Sequence, residues 1–459
     1  MITTARGRPD AADAIAAAGA LLAAITIVLL GRGLTFFADE WAVIGDRPLG
    51  LDTFVRPFNE HWLGVTTFVH RALVETVGLG SYLPYLAPLA ALHIFVVAEV
   101  YVLSRRSTWP IVAAGIAVIV AFFGSGFENL FWAMQIGFVG AIAMGLGALL
   151  LLDGKPSTRR VAVATGLLTV AVATSGFGLF MLALVGLDVL LDPNRRRIAL
   201  ALLIPAGVYG AWYLVLGRSG VATHGDPFSV GSLAAVPVFV FEGSAEAISS
   251  AFGIGRPLGR IGVIALIGVL LTHPIRRRPI SARALACFGA VIVQYALLGL
   301  VRGQMEADAT YFSRYSYLSG ILVLLGAAAL VGRPTLPIAP RSRLLVAGAL
   351  AAVLTLSLLW NVRLLFAGRD LFAERADLTR AFIELGLSRP LPDGVDPALS
   401  LVLVPAPTKL AAIVDRYGSP LDDRLAGTAV PPISDGAREE ALRRATEPPA
   451  WLLAQPWLP

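Results

Sequence analysis

The stretch "GLTFFADEWAVIGD", residues 33–46, follows the first long apolar run of the chain. It sets two adjacent carboxylates, Asp39 and Glu40, and the indole of Trp41 at the point where the chain leaves a run of hydrocarbon side chains. If that run crosses a bilayer, the acids stand at its mouth, and their role depends on the side they face. Topology therefore comes first.

The chain has 459 residues, of which 56% are hydrophobic and only 15% charged, and its mean hydropathy is +0.74. Soluble domains carry about 25% charged residues, so this composition points to an all-α polytopic membrane protein. The net charge of +6 does not indicate nucleic acid, because the basic residues fall in short connections between apolar runs. The one cysteine, Cys287, lies inside an apolar run, which excludes an internal disulfide framework. The first apolar run is long and no small-residue cleavage pattern follows it, so a cleaved signal peptide is not expected.

A helix needs about 20 residues to cross about 30 Å of hydrocarbon. Runs of that order occur at 11–31, 83–103, 108–124, 133–152, 161–175, 178–192, 198–217, 261–275, 282–301, 317–332 and 344–363, which gives about 11 transmembrane helices. Between the fifth and sixth, "ATSGFGLF" reads as a tight turn where small residues let two backbones approach. Arginine and lysine gather at every second connection: Arg6 and Arg8; Arg105 and Arg106; Lys155, Arg159 and Arg160; Arg195–Arg197; Arg276–Arg278; Arg333, Arg341 and Arg343. The alternate connections carry Asp39, Glu40, Asp46, Asp52, Glu60, Glu128, Asp226, Glu242, Glu246, Glu306 and Asp308. The positive-inside rule puts the first set, and the N-terminus, in the cytoplasm. The acids and the C-terminal region then lie outside a cell (inner or plasma) membrane.

Two outer connections are long. In the first, "HWLGVTTFVHRALVETVGLG" (61–80) reads as an amphipathic helix in the interface, broken by His70, Arg71 and Glu75. In the second, at 218–260, "AAVPVFVFEGSAEAISSAFG" reads as too short and too broken to span, and as a second interfacial element. The expected organisation is a membrane domain over 1–364 and a small extracytoplasmic region over 365–459, where "ALSLVLVPAP" (398–407) reads as one buried strand. No internal repeat is visible.

Adjacent helical residues face different ways, so one of Asp39 and Glu40 is expected to point inward. The bland reading is a solvated helix end. Three features favour a site: Trp41 as an interfacial anchor, a long semi-apolar loop that could roof a cavity, and "RPFNEHW" (56–62), which returns with Arg56, Asn59, Glu60 and His61. A half-buried acid there would have a raised pKa and could serve as a general base.

The "FADEWAVI" and "RPFNEHW" stretches, the inside N-terminus and the long first outer loop resemble the GT-C superfamily of integral-membrane glycosyltransferases. The resemblance covers roughly the first 330 residues in layout; the tail is shorter than the outer domain of many relatives. It implies transfer of a sugar from a polyprenyl-phosphate donor to an extracytoplasmic acceptor, with inversion. The acid of the first outer loop, Asp39 with Glu40 second, would deprotonate the acceptor hydroxyl. Donor phosphate needs cations or hydrogen-bond donors at the outer face. "GLVRGQMEADATYFSRYSYLSG" (299–320) offers Arg302, Arg314 and Tyr317, with Arg56 nearer to Asp39; simple snorkelling beside an aromatic belt is the alternative. Trp41, Asn59, Glu60, His61 and Glu128 are candidates for substrate contacts. Glu128, in "FGSGFENLFWAMQIG" (123–137), would be a second acid or else a cap on the helix starting near Leu130. These groups would also suit a divalent cation, but three acids and a histidine without geometry do not define a metal site.

Deeper in the second span lie His93 and Glu99; Glu99 is expected to pair with Arg105 or Arg106, a proton relay being the alternative. His224 and Asp226 sit in an outer turn and read as a solvated loop, with acceptor recognition as the sharper reading. The Ala/Gly/Arg/Leu-rich, Lys-poor composition suits a high-GC bacterial genome, so the acceptor would be a cell-envelope glycan, glycolipid or protein. Two competing functions remain: a lipid or sugar transporter, which predicts charged or broken helices at mid-membrane, and a non-catalytic membrane scaffold.

Overall fold

The structure is a computed structural model that describes residues 10–58, 61–220, 229–272, 280–303, 310–332, 340–397, 404–422 and 431–447. The described residues are mainly helical, with isolated bridge positions at Phe58, His61 and Val404 and no strand among them. In chain order the helices are α1 (Ala11–Leu30), α2 (Asp39–Asp46), α3 (Leu51–Val55), α4 (Gly64–Val77), α5 (Leu83–Ser107), α6 (Pro110–Ala121), α7 (Glu128–Phe131), α8 (Ile136–Leu151), α9 (Thr158–Thr174), α10 (Phe177–Leu190), α11 (Leu203–Val215), α12 (Val230–Phe252), α13 (Arg256–Thr272), α14 (Ala282–Arg302), α15 (Ser313–Val331), α16 (Pro340–Leu387), α17 (Pro407–Tyr417) and α18 (Asp435–Thr446). Among the described residues eight helices are long and apolar enough to cross a membrane: α1, α5, Ala133–Leu151, Arg196–Val215, α12, α14, α15 and the Leu344–Leu387 part of α16. The eleven apolar runs read from the sequence are helical over most of their described residues, but the helices of four of them, α6, α9, α10 and α13, are not among these eight, and α12, which is, was not one of the runs. The strand read at 398–407 falls mostly outside the described residues.

Local chemistry sets the ends of these helices. Asp10 and Asp13 form a capping box at the start of α1. Ser157 and Ser229 cap α9 and α12, and α5 and α6 begin with proline in the first turn. Small residues set the spacing between helices. A Cβ on Gly243 would lie 2.1 Å from the Tyr295 ring, and one on Gly178 would lie 2.3 Å from the Ala171 carbonyl oxygen. The second contact closes the turn between α9 and α10, where the sequence places it.

The bundle has two chemically distinct ends. At the arginine end, Arg105 pairs with Asp10 (2.7 Å) and Asp13 (3.1 Å), and Arg106 pairs with Asp153 (2.6 Å). Buried Asp188 there receives Arg195 (2.8 Å) and Arg283 (2.6 Å). These pairs tie α1, α5, α10 and α14 to one another and to the connection after α8. They also overturn one expectation: both arginines expected to neutralise Glu99 are engaged elsewhere.

The acidic end is thicker. Helix α12 is a single unbroken helix of 23 residues, not the short broken element the sequence suggested. Both of its ends lie at the acidic end. Ser232 and Ala235 pack on Gly303, just past α14. At the other end, Ser357 donates to Ala251 O (2.6 Å) and Asn361 to Ser250 O (3.2 Å). The Asn361 side chain also accepts from Ser125 N–H in the connection after α6 (3.0 Å). Helix α12 is therefore an oblique cross-member over α14 and α15, and α13 starts beside it and returns to the arginine end.

Helix α16 has 48 residues, about 72 Å at the rise of an α-helix, roughly twice what hydrocarbon requires. Its second half projects beyond the bundle, and the boundary drawn at 364/365 lies within continuous helix. Helices α17 and α18 both pack on this projection, α18 through Arg438–Glu384 (2.7 Å) and its N-cap Ser434–Asp377 (2.6 Å). The same layer meets the first connection. Leu79 N–H donates to Tyr417 O (2.8 Å), Lys409 pairs with Asp46, and Arg380 donates to Gly33 O.

Helix α4 forms where the amphipathic reading places it, with its polar side turned inward: Thr66, Thr67, His70 and Arg71 are buried and Phe68 and Val77 exposed. Arg71 donates to Ile44 O (2.6 Å), to Glu75 and to the Tyr417 hydroxyl. The side chains that break the apolar run are therefore the ones that hold α2 and the C-terminal layer in place.

Candidate active site

The two acids of the opening stretch point in different directions. Glu40 is fully buried. It accepts hydrogen bonds from Phe37 N–H (2.7 Å) and the Tyr82 hydroxyl (2.9 Å), and lies 3.4 Å from His70 Nε2. Tyr82 in turn accepts from Ala133 N–H (2.8 Å). Burial and the adjacent Glu40 raise the Tyr82 pKa well above that of an ordinary phenol. Glu40 thus fastens α2 to α4, to the start of α5 and to the connection before α8. Removing it would leave several buried polar groups without partners. Glu40→Leu is expected to destabilise the protein by about 3–5 kcal/mol, read as a lowered thermal unfolding temperature in detergent; an unchanged temperature would contradict this role.

Asp39 is open to solvent but walled by protein, the combination a recess produces. Burial raises its pKa above the ordinary 3.8; Arg314 and Arg302 pull it down, and Glu40 pushes it up. The residue before it, Ala38, has φ 48° and ψ −115°. This backbone is strained for an L-residue with a Cβ, and it turns the chain so that α2 begins with Asp39. Ala38→Gly is expected to raise stability by about 1 kcal/mol; a fall in unfolding temperature would show that this backbone is not strained.

Three guanidiniums surround the recess. Arg302 lies over the Tyr315 ring (5.7 Å), Arg314 over Phe312 (4.9 Å) and Tyr315 (5.6 Å), and Arg375 over Phe37 (5.2 Å) and Phe372 (5.3 Å). Aromatic faces orient them. The ion pairs nearby belong to other arginines, Arg256 with Glu246 (3.6 Å) and Arg260 with Glu242 (3.0 Å). Among the described residues none of the three lies within ion-pair distance of a carboxylate. Glu128, within electrostatic reach of Arg314 and Arg375, accepts from Ser313 Oγ (3.0 Å) and Arg314 N–H (3.1 Å). It caps α15 and not the helix that begins near Leu130.

Buried polar atoms also collect here. Arg314 Nε, Asn129 Oδ1, Trp132 Nε1 and Gln135 Oε1 find no protein partner. Phe37 packs edge-on against Trp132 (5.4 Å) and Phe372 (6.2 Å), so the 128–135 segment, the 36–39 turn and the projecting part of α16 meet at one place. The arrangement offers one solvent-reachable carboxylate of raised pKa with guanidiniums close to it.

The other sequence candidates lie elsewhere. Trp41 is buried and donates to Phe36 O (3.3 Å), so it is a core residue and not an interfacial anchor. Tyr317 is fully buried, with its hydroxyl 2.7 Å from His93 Nδ1, on the core side of α15. His93 Nε2 lies 3.0 Å from Ala121 O, so that histidine is satisfied within the bundle. Arg56 is exposed, pairs with Asp52 (3.6 Å) and donates to Asp46 O (2.8 Å). His61 closes the bridge to Phe58 and faces Gly176. Asn59, Glu60, His224 and Asp226 lie outside the described residues. Among the described residues no group of three or more His, Cys, Asp or Glu side chains could hold a metal ion.

Arg375 is not among the sequence candidates because the last apolar run ends near 363. The available signal was residues 369–385, which continue without a glycine or proline and so carry the helix outward. Compared with known families, curated proteins and solved structures, the chain matches none.

Proposed function

We propose that this chain is a multi-pass membrane glycosyltransferase of GT-C type, with eleven passages, that moves a sugar from a polyprenyl-phosphate donor to a cell-envelope acceptor. One observation carries the reading: a solvent-reachable carboxylate of raised pKa stands within electrostatic reach of Arg302 and Arg314, Arg375 stands beside Arg314, and among the described residues none of the three guanidiniums pairs with a carboxylate. Asp39 takes the proton of the acceptor hydroxyl. The oxygen forms its bond to the anomeric carbon as the bond from that carbon to the phosphate oxygen breaks. The electron pair leaves on polyprenyl phosphate, and the configuration inverts. Arg302, Arg314 and Arg375 bind the phosphate and the charge it gains. No nucleotide is required, because the lipid phosphate already leaves well.

The positive-inside rule orients the arginine end toward the cytoplasm, which puts the recess and the C-terminus outside. Two single cysteines in a Cys287→Ser background test this. Leu49→Cys is expected to react with a membrane-impermeant maleimide in intact cells, and Lys155→Cys only after permeabilisation; the reverse pattern sinks the orientation. For the activity, the reconstituted protein is given labelled polyprenyl-phosphate hexoses and pentoses together with envelope acceptor extract. Acceptor-dependent release of polyprenyl phosphate supports the reading, and its absence across the panel counts against it.

A further inference from the structure

A second feature lies away from the recess. Between α4, α5, α8 and α9 runs an apolar groove of about 360 Å³, within the size range of small-molecule sites. Val69, Leu92, Phe95, Gly140, Met144 and Leu167 stand in its wall, and Glu99 lies in it. Phe95 and Val170 are exposed on its rim, so it opens sideways to the bilayer. The two threonines at its acidic end are satisfied: Thr66 donates to Thr174 O and Thr174 to Val170 O, both at 2.7 Å.

Glu99 is not satisfied. It is 4% exposed, and neither carboxyl oxygen has a hydrogen-bond partner. A Cβ added at Gly147 would lie 3.0 Å from Oε1, so the glycine gives the carboxyl its room. The arginines one to two turns below are engaged with Asp10, Asp13 and Asp153. A carboxyl in hydrocarbon with no cation beside it is uncharged, and a neutral acid offers one donor and one acceptor. Glu99 stands about 12 Å from the arginine end of α5, eight residues before Ser107, while the groove extends away from it toward α4.

We propose that this groove is an intramembrane binding site for a neutral lipid alcohol drawn from the leaflet at the arginine end. Its chain lies along the groove and its hydroxyl exchanges a reciprocal pair of hydrogen bonds with Glu99. A phosphate or carboxylate head finds no cation here. An amine would have to build an ion pair in hydrocarbon, where desolvation offsets much of the attraction. An alcohol brings no charge to desolvate. The site is independent of the transfer reaction proposed above.

The test uses the full chain in lipid nanodiscs and a long-chain alcohol bearing a diazirine. Photolabelling is expected to saturate, to map to peptides containing Leu92–Glu99, Gly140–Gly147 and Leu167–Thr174, and to be displaced by unlabelled alcohol. Glu99→Leu should lower labelling about tenfold, while Glu99→Gln, which keeps a donor and an acceptor, should stay within about threefold of wild type. Equal labelling of Glu99→Leu overturns the proposal. So does displacement by a long-chain amine or fatty acid as effective as that by the alcohol, an arm that needs only the wild-type protein.

Discussion

Asp39→Asn is expected to reduce sugar transfer by about 10²–10⁴-fold, the range a positioned general base contributes, with membrane insertion and unfolding temperature preserved. Asparagine has the same shape and cannot accept the proton. The side chain reaches solvent and forms no hydrogen bond that the fold relies on, so stability should shift by no more than about 0.5 kcal/mol. The sign of any shift is set by linkage. A carboxyl whose pKa is raised in the folded protein favours its protonated form there. Its stabilising contribution is present at low pH and lost as pH rises through the folded value, so at neutral pH the charge opposes folding. A neutral isostere should therefore leave the unfolding temperature unchanged or slightly higher. The wild-type rate should fall as pH drops through a value above the ordinary 3.8, because the base must be ionised to act. Transfer retained in Asp39→Asn, or an acid limb at or below the ordinary aspartate value, would remove Asp39 from the chemistry.

Arg314→Gln is expected to weaken donor handling by about ten- to a hundredfold, the value of a charge-assisted hydrogen bond to phosphate. The loss should appear in both KM for the donor and kcat, since the leaving phosphate gains charge as the sugar departs. Arg314→Lys should recover part of it, because lysine keeps the charge but not the planar fork that grips two oxygens. The substitution leaves the local scaffold in place. Glu128 is capped onto the Arg314 backbone N–H, and Asn129 donates to Arg314 O (3.1 Å); neither contact uses the guanidinium. Steady-state transfer with varied polyprenyl-phosphate sugar is the measurement. Wild-type KM and kcat in Arg314→Gln would show that the arginines of this recess serve the lipid interface and not a substrate.

Charge and apolar run length decide much of this protein before any packing is considered. The runs became helices because they are apolar and most are bounded by Gly, Pro or a capping Ser or Asp, all local properties. The alternation of arginine and acid between successive connections was legible for the same reason. The acid pair at the end of the first apolar run was legible as a candidate, with one member expected to point inward, but not which one: Glu40 is buried and Asp39 exposed. The α12 segment was misread because Pro237 and Glu242 look like interruptions in a linear sequence. In the bundle, Glu242 receives Arg260 (3.0 Å) and Tyr311 (3.0 Å), and the helix runs through.

What the sequence determined by itself is the membrane class, the helices and the end of the bundle at which charge collects, because these follow from transfer free energies of side chains taken one at a time. What only the tertiary structure decided is which charges meet. Glu40 turned into the core and Asp39 into the recess, Arg375 arrived from 336 residues farther along the chain, and Glu99 was left without the arginines that stand beside it in sequence. Those outcomes depend on distances between helices far apart in the chain, and packing sets those distances.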